Sequence, residues 1–266
     1  MNYMVICGDH PRHLYYLNSI TNYCKVNGVL MEKRENFLPK PDSSLEDIDK
    51  INFIRHFDNR QKFEIEFFGK NKILPNCEIC QVSEHDLSGQ NSVEFIKKIK
   101  PDVVFIFGTE MIREPLYSVL PKMTINLHLG LSPRYRGSAT LFWPFYFLEP
   151  NWAGSTFHFI TNKPDAGGII HQTLPILEKG DTIHQVACKV VKQSSIEVRR
   201  IIDILNSRQN LRIYKQKTSG KNFLTRDFVP QHLRVIYNLF NDNIVDYFLE
   251  KKINPKNPNI ITADIE

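Results

Sequence analysis

The sequence predicts an α/β protein built on a doubly wound sheet with parallel central strands. Three observations lead there. Strand-like and helix-like patterns alternate from Tyr3 to Leu127. Asp102–Phe107 (DVVFIF) is a continuous β-branched and aromatic run, the pattern of a parallel strand covered on both faces. Met123–Leu127 (MTINL) is a second such run. Strands and helices in alternation pack as helices on the faces of one sheet.

Tyr3–Cys7 reads as a short apolar strand ending at Gly8-Asp9, and Leu14, Leu17 and Ile20 follow at helical spacing. Lys25–Leu30 reads as a second strand, and this βαβ opening lacks a GxGxxG, so no dinucleotide site is expected. Residues Glu32–Gly69 break the rhythm. They are polar, carry Pro39 and Pro41, and turn helical from Ser44; they are expected as an excursion packed on the edge of the fold. The alternation resumes with a strand at Cys77–Val82 and a helix at Ser92–Lys98, whose apolar side is Val93, Phe95, Ile96 and Ile99. After the two central strands, Ser138–Leu148 is expected as a helix, Gly154–Ile160 as a strand with alternating faces, and Gly168–Leu177 as another.

A long amphipathic helix starts at Asp181-Thr182, with Asp181 as N-cap and Ile183, Val186, Val190, Val198, Ile201, Ile202 and Leu205 as its buried stripe. Leu211–Tyr214 and Asn222–Leu224 read as short strands around a turn at Thr218-Ser-Gly220. Pro230 opens a last helix, with Leu233, Ile236, Leu239 and Phe240 on its apolar face, and the tail after Lys252 is expected to be irregular. The expected organisation is a main domain over 1–205, including the 32–69 insertion, and a small C-terminal strand/helix extension over 206–266.

Composition narrows the function. The chain has 266 residues, 42% hydrophobic and 24% charged, as soluble globular proteins do. Its longest nearly apolar run, Ala139–Leu148, is broken by Pro144 and is too short for a bilayer span of about 20 residues. Met1–His10 lacks the basic start of a secretory signal. A net charge of +5 is modest for a nucleic-acid binder. Asn206–Arg226 holds Arg208, Arg212, Lys215, Lys217, Lys221 and Arg226 and no acid; it is either a solvated face or a phosphate-contacting edge. The five cysteines, Cys7, Cys24, Cys77, Cys80 and Cys188, are odd in number and irregularly spaced, unlike a disulfide framework. Cys77-Glu-Ile-Cys80 has no second CxxC and no histidine pair at zinc spacing, so it reads as two structural thiols. A reducing, cytoplasmic compartment follows, with no metal, no membrane and no nucleic acid as partner.

Ligands of α/β sheets bind beyond the carboxyl ends of the strands. Three loops lie there: Gly108–Met111, His128–Gly137 and Thr161–Gly168. Converging on one crevice, they bring an amide (Asn126), an imidazole (His128) and a carboxylate (Asp165) together. The trio suits acyl transfer to an amine. The imidazole takes a proton from the attacking amine, the amide donates to the developing oxyanion, and the carboxylate orients the imidazole and favours its protonated form. Singly, each has a plainer reading. A histidine after a strand is more often a satisfied polar residue, and an aspartate before Ala-Gly-Gly is more often a turn former. Asn126 is the odd one, because burying an amide is costly unless it is hydrogen-bonded.

Asn126-Leu-His128, then Pro133-Arg-Tyr135-Arg136-Gly137, then Asp165-Ala-Gly167-Gly-Ile169, resemble in this order the formyltransferases that use N10-formyltetrahydrofolate. That family includes the glycinamide ribonucleotide, methionyl-tRNA and sugar N-formyltransferases. The resemblance spans residues 75–190, with the first strand and helix as a looser match. It implies a Rossmann-like formyltransferase domain, with Asn126, His128 and Asp165 as catalytic residues and N10-formyltetrahydrofolate as formyl donor. It also implies a folate pocket made by Phe107, Gly108, Thr109, Met111, Ile112 and Thr161; Met111 either covers the pterin or packs in the core. The family commonly has Pro-Ser-Leu-Leu-Pro after the histidine. Here the run is Leu129-Gly130-Leu131-Ser132-Pro133, so Gly130 lacks that serine hydroxyl.

The acceptor is read by elimination within the resemblance. The residues after the long helix are too few for the tRNA-holding barrel of the methionyl-tRNA enzymes, and Gly8–His13 is not the Gly-rich phosphate loop of the glycinamide ribonucleotide enzymes. The remaining group, the sugar N-formyltransferases, implies a nucleotide-linked deoxyamino sugar as acceptor. Its phosphates are expected on some of His10, Arg12, His13, Arg134 and Arg136, with Tyr135 and Gly137 beside them. Arg136 either does this or braces its loop; Arg12 and Arg134 are favoured because, apart from Asp9, no nearby carboxylate would occupy them. Another amine acceptor and a non-catalytic binding module on the same scaffold are the alternatives, and a homodimer is left open.

Overall fold

A computed structural model describes residues 1–34, 38–70, 73–216 and 220–266. Part of the 32–69 insertion, Lys217 of the basic run and Thr218 and Ser219 of the expected turn lie outside the described residues.

The chain runs β1 (Tyr3–Gly8), α1 (Pro11–Thr21), β2 (Val26–Glu32), α2 (Asp47–Phe68), β3 (Glu78–Val82), α3 (Gln90–Ile99), β4 (Val103–Phe107), α4 (Leu116–Val119) and β5 (Met123–His128). It continues through β6 (Tyr135–Gly137), α5 (Trp143–Tyr146), β7 (Ser155–Phe159), β8 (Ile169–Thr173), α6 (Ile183–Asn206), β9 (Lys221–Phe223) and α7 (Ile244–Leu249). Seven strands form one sheet in the order β3-β2-β1-β4-β5-β7-β8. The first five are mutually parallel, and β7 and β8 add antiparallel strands at one side. The order reverses between β1 and β4, which opens a crevice at their carboxyl ends.

Strand alternation sorts the core onto two faces. Val5, Cys7, Phe105 and Phe107 pack against Leu14 and Leu17 of α1 and Val198, Ile201 and Ile202 of α6. Met4, Ile6, Val104 and Ile106 pack against Val93, Phe95 and Ile96 of α3 and Leu116 of α4. Every residue of β4 is buried, as its unbroken apolar run predicts; each such side chain contributes about 1.5–3 kcal/mol. A third cluster joins Tyr135, Trp143 and Phe145 to Val186 and Val190 of α6 and to Phe223, Leu233 and Ile236 of the C-terminal segment. No helix among the described residues is long and apolar enough to cross a membrane.

Several expectations need correction. The insertion does not sit on the edge: α2 packs on α1 and α6, because the β2–β3 crossover passes over the face that α1 already covers. Ser138–Leu148 is not one helix. Ala139 and Leu148 both take positive φ, 54° and 56°, which a helix cannot pass through, so only α5 forms between them. The strand expected to reach Leu177 stops at Thr173, ahead of Pro175, which has no N–H for the ladder. Thr182, not Asp181, caps α6, in a capping box with Gln185; Asp181 accepts from the Glu178 N–H and pairs with Lys189 at 2.8 Å. The two short C-terminal strands do not pair with each other. Leu211 and Tyr214 bridge singly to Ile265 and Ile169, while β9 runs parallel to β6. Leu239 is 69% exposed, since Val235–Leu239 is a π-helical turn whose i→i+5 bonding puts more residues in each turn and slips the 3.6-residue phase.

Candidate active site

The carboxyl ends of β4 and β5 open into a cleft of about 520 Å³, a size suited to a small-molecule ligand. The 107–112 loop, the end of β5, the 158–165 segment and residues 222–225 of the C-terminal segment line it. Asn126, His128 and Asp165 all line this cleft.

Asn126 and His128 alternate on β5, so both point to the same face. His128 is 7% exposed, and its Nε2 lies 3.0 Å from the Tyr135 carbonyl oxygen. A carbonyl can only accept, so Nε2 carries the proton and the neutral ring keeps its lone pair on Nδ1. That Nδ1 lies 3.4 Å from Asp165 Oδ2. Asp165 takes a φ of 47°, a conformation aspartate tolerates better than most side chains, and this turns its carboxylate inward. There Oδ2 also accepts from the Gly137 N–H at 2.9 Å. Burial pushes the His128 imidazole below the ordinary histidine value, with Asp165 opposing the shift. Burial would raise the Asp165 carboxyl, but the charges of His128 and His158, the His158 hydrogen bond and the Gly137 N–H together hold it well below the usual carboxylate range.

Sequence reasoning missed His158. It stands opposite Asn126 in the β5–β7 register. Its Nε2 lies 3.2 Å from Asn126 Nδ2 and 3.3 Å from Asp165 Oδ1, while its Nδ1 is 2.8 Å from the Phe159 carbonyl oxygen. With Nδ1 donating to that carbonyl, the neutral ring accepts one Asn126 amide hydrogen at Nε2 and leaves the other amide hydrogen for the cleft. When the ring is protonated, Nε2 donates to Asp165. The sequence signal was a histidine between two phenylalanines in β7, and its partner depends on an antiparallel register.

Gly130 is explained by close packing. A Cβ there would lie 2.6 Å from His128 Nε2 and 2.7 Å from the Tyr135 carbonyl oxygen. A serine would displace the bond that sets the His128 tautomer.

The expected donor residues Phe107, Gly108, Thr109, Met111, Ile112 and Thr161 all line the cleft. Met111 is 38% exposed whereas Ile112 is buried, so Met111 is not core packing. The expected phosphate residues divide. Arg12 and His13 line the cleft, as does Gly137. His13 is 1% exposed and wedged edge-on against the Phe107 ring at 5.0 Å; burial and the nearby Arg12 charge hold it well below the ordinary histidine value. His10 is buried and stacked on His13. Tyr135 is buried with its hydroxyl on Glu149 at 2.6 Å. His10, Tyr135 and Arg136 do not line the cleft.

Arg134 requires the clearest correction. Its guanidinium makes a two-pronged pair with Glu149 and lies 4.7 Å over the Trp152 ring, beside a separate hollow. The expectation that no carboxylate would occupy it fails, because Glu149 is brought to it across α5. Arg12 likewise pairs with Glu64, from α2. No grouping of three or more His, Cys, Asp or Glu that could hold a metal ion occurs among the described residues.

Residues 60–202 match the formyl transferase family. The bifunctional polymyxin resistance protein ArnA of Wigglesworthia glossinidia brevipalpis is 29% identical over 133 residues, 50% of this chain and 20% of that protein. The chain thus spans about a fifth of the length of that curated relative. Among solved structures, a 4-N formyltransferase from Francisella tularensis superposes with a TM-score of 0.57 at 18% identity, covering 89% of this chain and 86% of that one. The formyltransferase PseJ from Anoxybacillus kamchatkensis, solved with UDP-4,6-dideoxy-4-formamido-L-AltNAc and tetrahydrofolate, superposes with a TM-score of 0.52 at 17% identity, covering 82% and 96%. At such identities these likenesses establish a shared fold. Because the family match covers more than half of the chain and takes in β5, β7 and the Asp165 loop, the chain belongs to the formyl transferase family.

Proposed function

We propose that this cleft transfers a formyl group from N10-formyltetrahydrofolate to the amine of a nucleotide-linked deoxyamino sugar. The observation that carries the reading is the meeting of His128, Asp165 and the His158-held Asn126 amide at the mouth of β5.

The residues fit the donor. Half-exposed Met111 beside buried Ile112 offers apolar surface for a flat ring. The loop that carries them is tied down by the Glu110 N–H donating to buried Glu32 at 2.8 Å. Bound there, the donor would supply an electrophilic formyl carbon. Asn126 then donates its free amide hydrogen to the formyl oxygen as negative charge grows on it. The acceptor amine would attack that carbon directly, and the carbon's bond to the donor nitrogen would break as tetrahydrofolate leaves, so no serine or cysteine nucleophile is needed. His128 would take the amine proton at Nδ1 and return it to the departing donor nitrogen, with Asp165 stabilising the imidazolium in between and the Tyr135 carbonyl holding the opposite edge of the ring. The buried, neutral ring is ready to act as base near pH 7.

Two observations support a phosphate-bearing acceptor. PseJ shares the fold and was solved with a UDP-linked formamido sugar. Arg12 sits at the N-terminal turn of α1 and lines the cleft, where the helix N-terminus favours an anion beside a guanidinium already paired with Glu64. The test is a panel of nucleotide-linked amino sugars, a ribonucleotide amine and free amino sugars, each incubated with protein and donor and read by mass. Gain of one formyl group on the nucleotide-linked sugars alone is expected. Equal formylation of a free amino sugar would overturn the acceptor assignment, and no formylation of any amine would overturn the activity.

A further inference from the structure

We infer that the C-terminal strand β9 forms the acceptor-reading wall of the cleft, with Asn222 and Leu224 selecting the sugar. The inference rests on the acceptor class proposed above and deepens it.

β9 is clamped to the segment that follows His128. It pairs with β6 in register, Arg136 opposite Asn222 and Gly137 opposite Phe223, and the Ser138 N–H donates to the Phe223 carbonyl at 2.7 Å. Two glycines allow the approach. A Cβ on Gly220 would lie 1.3 Å from the Pro133 carbonyl oxygen, and one on Gly137, at φ 89°, would lie 2.2 Å from the Phe223 carbonyl oxygen. Phe223 is the anchor: buried, it stacks on Trp143 at 4.6 Å and on Tyr135 at 6.0 Å. Upstream, Gln216 donates from Nε2 to the carbonyls of Asp165 and Gly167, each at 2.8 Å. The C-terminal segment is therefore fastened to both catalytic loops.

Alternation along β9 decides what the cleft meets. Phe223 points into the core, so Asn222 and Leu224 point the other way; both are exposed and both line the cleft with His128 and Asp165. Asn222 Oδ1 would lie 2.6 Å from a Cβ on Gly137, the residue whose N–H holds Asp165. A neutral amide at this place suits a sugar hydroxyl beside the reacting amine, since it can donate and accept at once. Leu224, 41% exposed, is an apolar side chain on the cleft wall, held in place by its own N–H on Asp227 at 2.9 Å. It suits a methyl group where other hexoses carry a hydroxymethyl, which is a 6-deoxy sugar.

The experiment uses the full chain, kinetics against paired 6-deoxy and 6-hydroxy nucleotide-linked amino sugars, and titration calorimetry with tetrahydrofolate. Asn222→Ala is expected to raise the acceptor KM about tenfold, the worth of one hydrogen bond. Donor KM and tetrahydrofolate affinity should stay unchanged. Leu224→Asn is expected to reduce the preference for the 6-deoxy sugar about tenfold. Asn222→Asp, of the same size, serves should the alanine variant fail to fold. Unchanged acceptor KM and unchanged preference in folded variants would overturn the inference while leaving the proposed function in place. A wild-type protein that binds tetrahydrofolate yet formylates none of the nucleotide-linked sugars would overturn both.

Discussion

Two of the buried histidine pairs, one at the cleft and one between helices, are built to different ends. His128 and His158 have ring centres 6.3 Å apart, and Asp165 reaches both, at 3.4 and 3.3 Å. They face the cleft. His56 of α2 and His184 of α6 are closer, 4.4 Å between centres, and are joined by a contact of 3.2 Å between His184 Nε2 and His56 Nδ1. The Tyr237 hydroxyl meets the same His56 nitrogen at 3.0 Å. Among the described residues neither of this second pair meets a carboxylate. Burial, with Arg60 adding to it, pushes His56 down to about 3, and burial and the His56 charge hold His184 well below the ordinary value. Even the nearby Asp242 is pushed up by burial, to about 6. Burial alone makes a histidine neutral and structural. A carboxylate within reach and a cleft beside it are what let the neutral ring accept a proton and keep it.

Four experiments would break or sharpen this contrast. His128→Asn should lower the formyl-transfer rate by about 10²–10⁴-fold, whereas His184→Asn should leave it unchanged. A His128→Asn protein that folds and keeps near-full turnover would erase the distinction between the pairs.

Next in size is Asp165→Asn, which keeps the φ of 47° because asparagine tolerates it. The rate should fall about 10²-fold, as the imidazolium loses its counter-charge. Asp165 opposes the downward shift of His128, so its removal should move the acid limb of the pH–rate profile further below the wild-type position, itself below the ordinary histidine value. An acid limb displaced to higher pH would contradict the geometry.

Gly130→Ser tests whether the His128 tautomer is held by the Tyr135 carbonyl. Crowding at 2.6 Å should cost about 10-fold or more in kcat, with donor affinity measured by titration unchanged. Full activity would mean that the ring is not fixed by that contact.

The smallest effect concerns the second pair. His184→Leu should change stability by only about 1 kcal/mol, read by urea denaturation at pH 7, with turnover intact. The pH dependence is more telling. Unfolded histidine titrates near 6.5, while folded His56 does so at about 3. The unfolded chain therefore binds the extra proton, and stability should be full above about pH 6.5 and decline as pH falls toward 3. In His56→Leu that decline should be shallower. An identical slope in the variant would show that His56 is not buried neutral.

Much of the fold was legible because it is local. Val103–Phe107 of the DVVFIF run became the fully buried β4, and the stripe from Ile183 to Leu205 became the buried side of α6, since side-chain period and burial are linked within one element. The candidate site was legible in part. Asn126 and His128 lie two residues apart on one strand; Asp165 follows the antiparallel β7, so the rule for parallel strands does not place it, and its loop reaches His128 only through the fold. The donor loop was readable because it follows the central strand.

What stayed hidden depends on partners distant in the chain. His158 is opposite Asn126 only through the β5–β7 register. Arg134 seemed free until Glu149 was folded back to it, and Arg12 until α2 brought Glu64. Leu239 lost its phase to a π-turn. β9 left an expected hairpin to lie along β6, placing Asn222 beside the Asp165 loop. Strand runs, helix stripes and the order of polar residues after strands are written in nearest-neighbour chemistry, so the chain carries them wherever it goes. Register, ion-pair choice and the docking of the C-terminal segment are settled by which distant surfaces pack together, and those energies exist only once the core has formed.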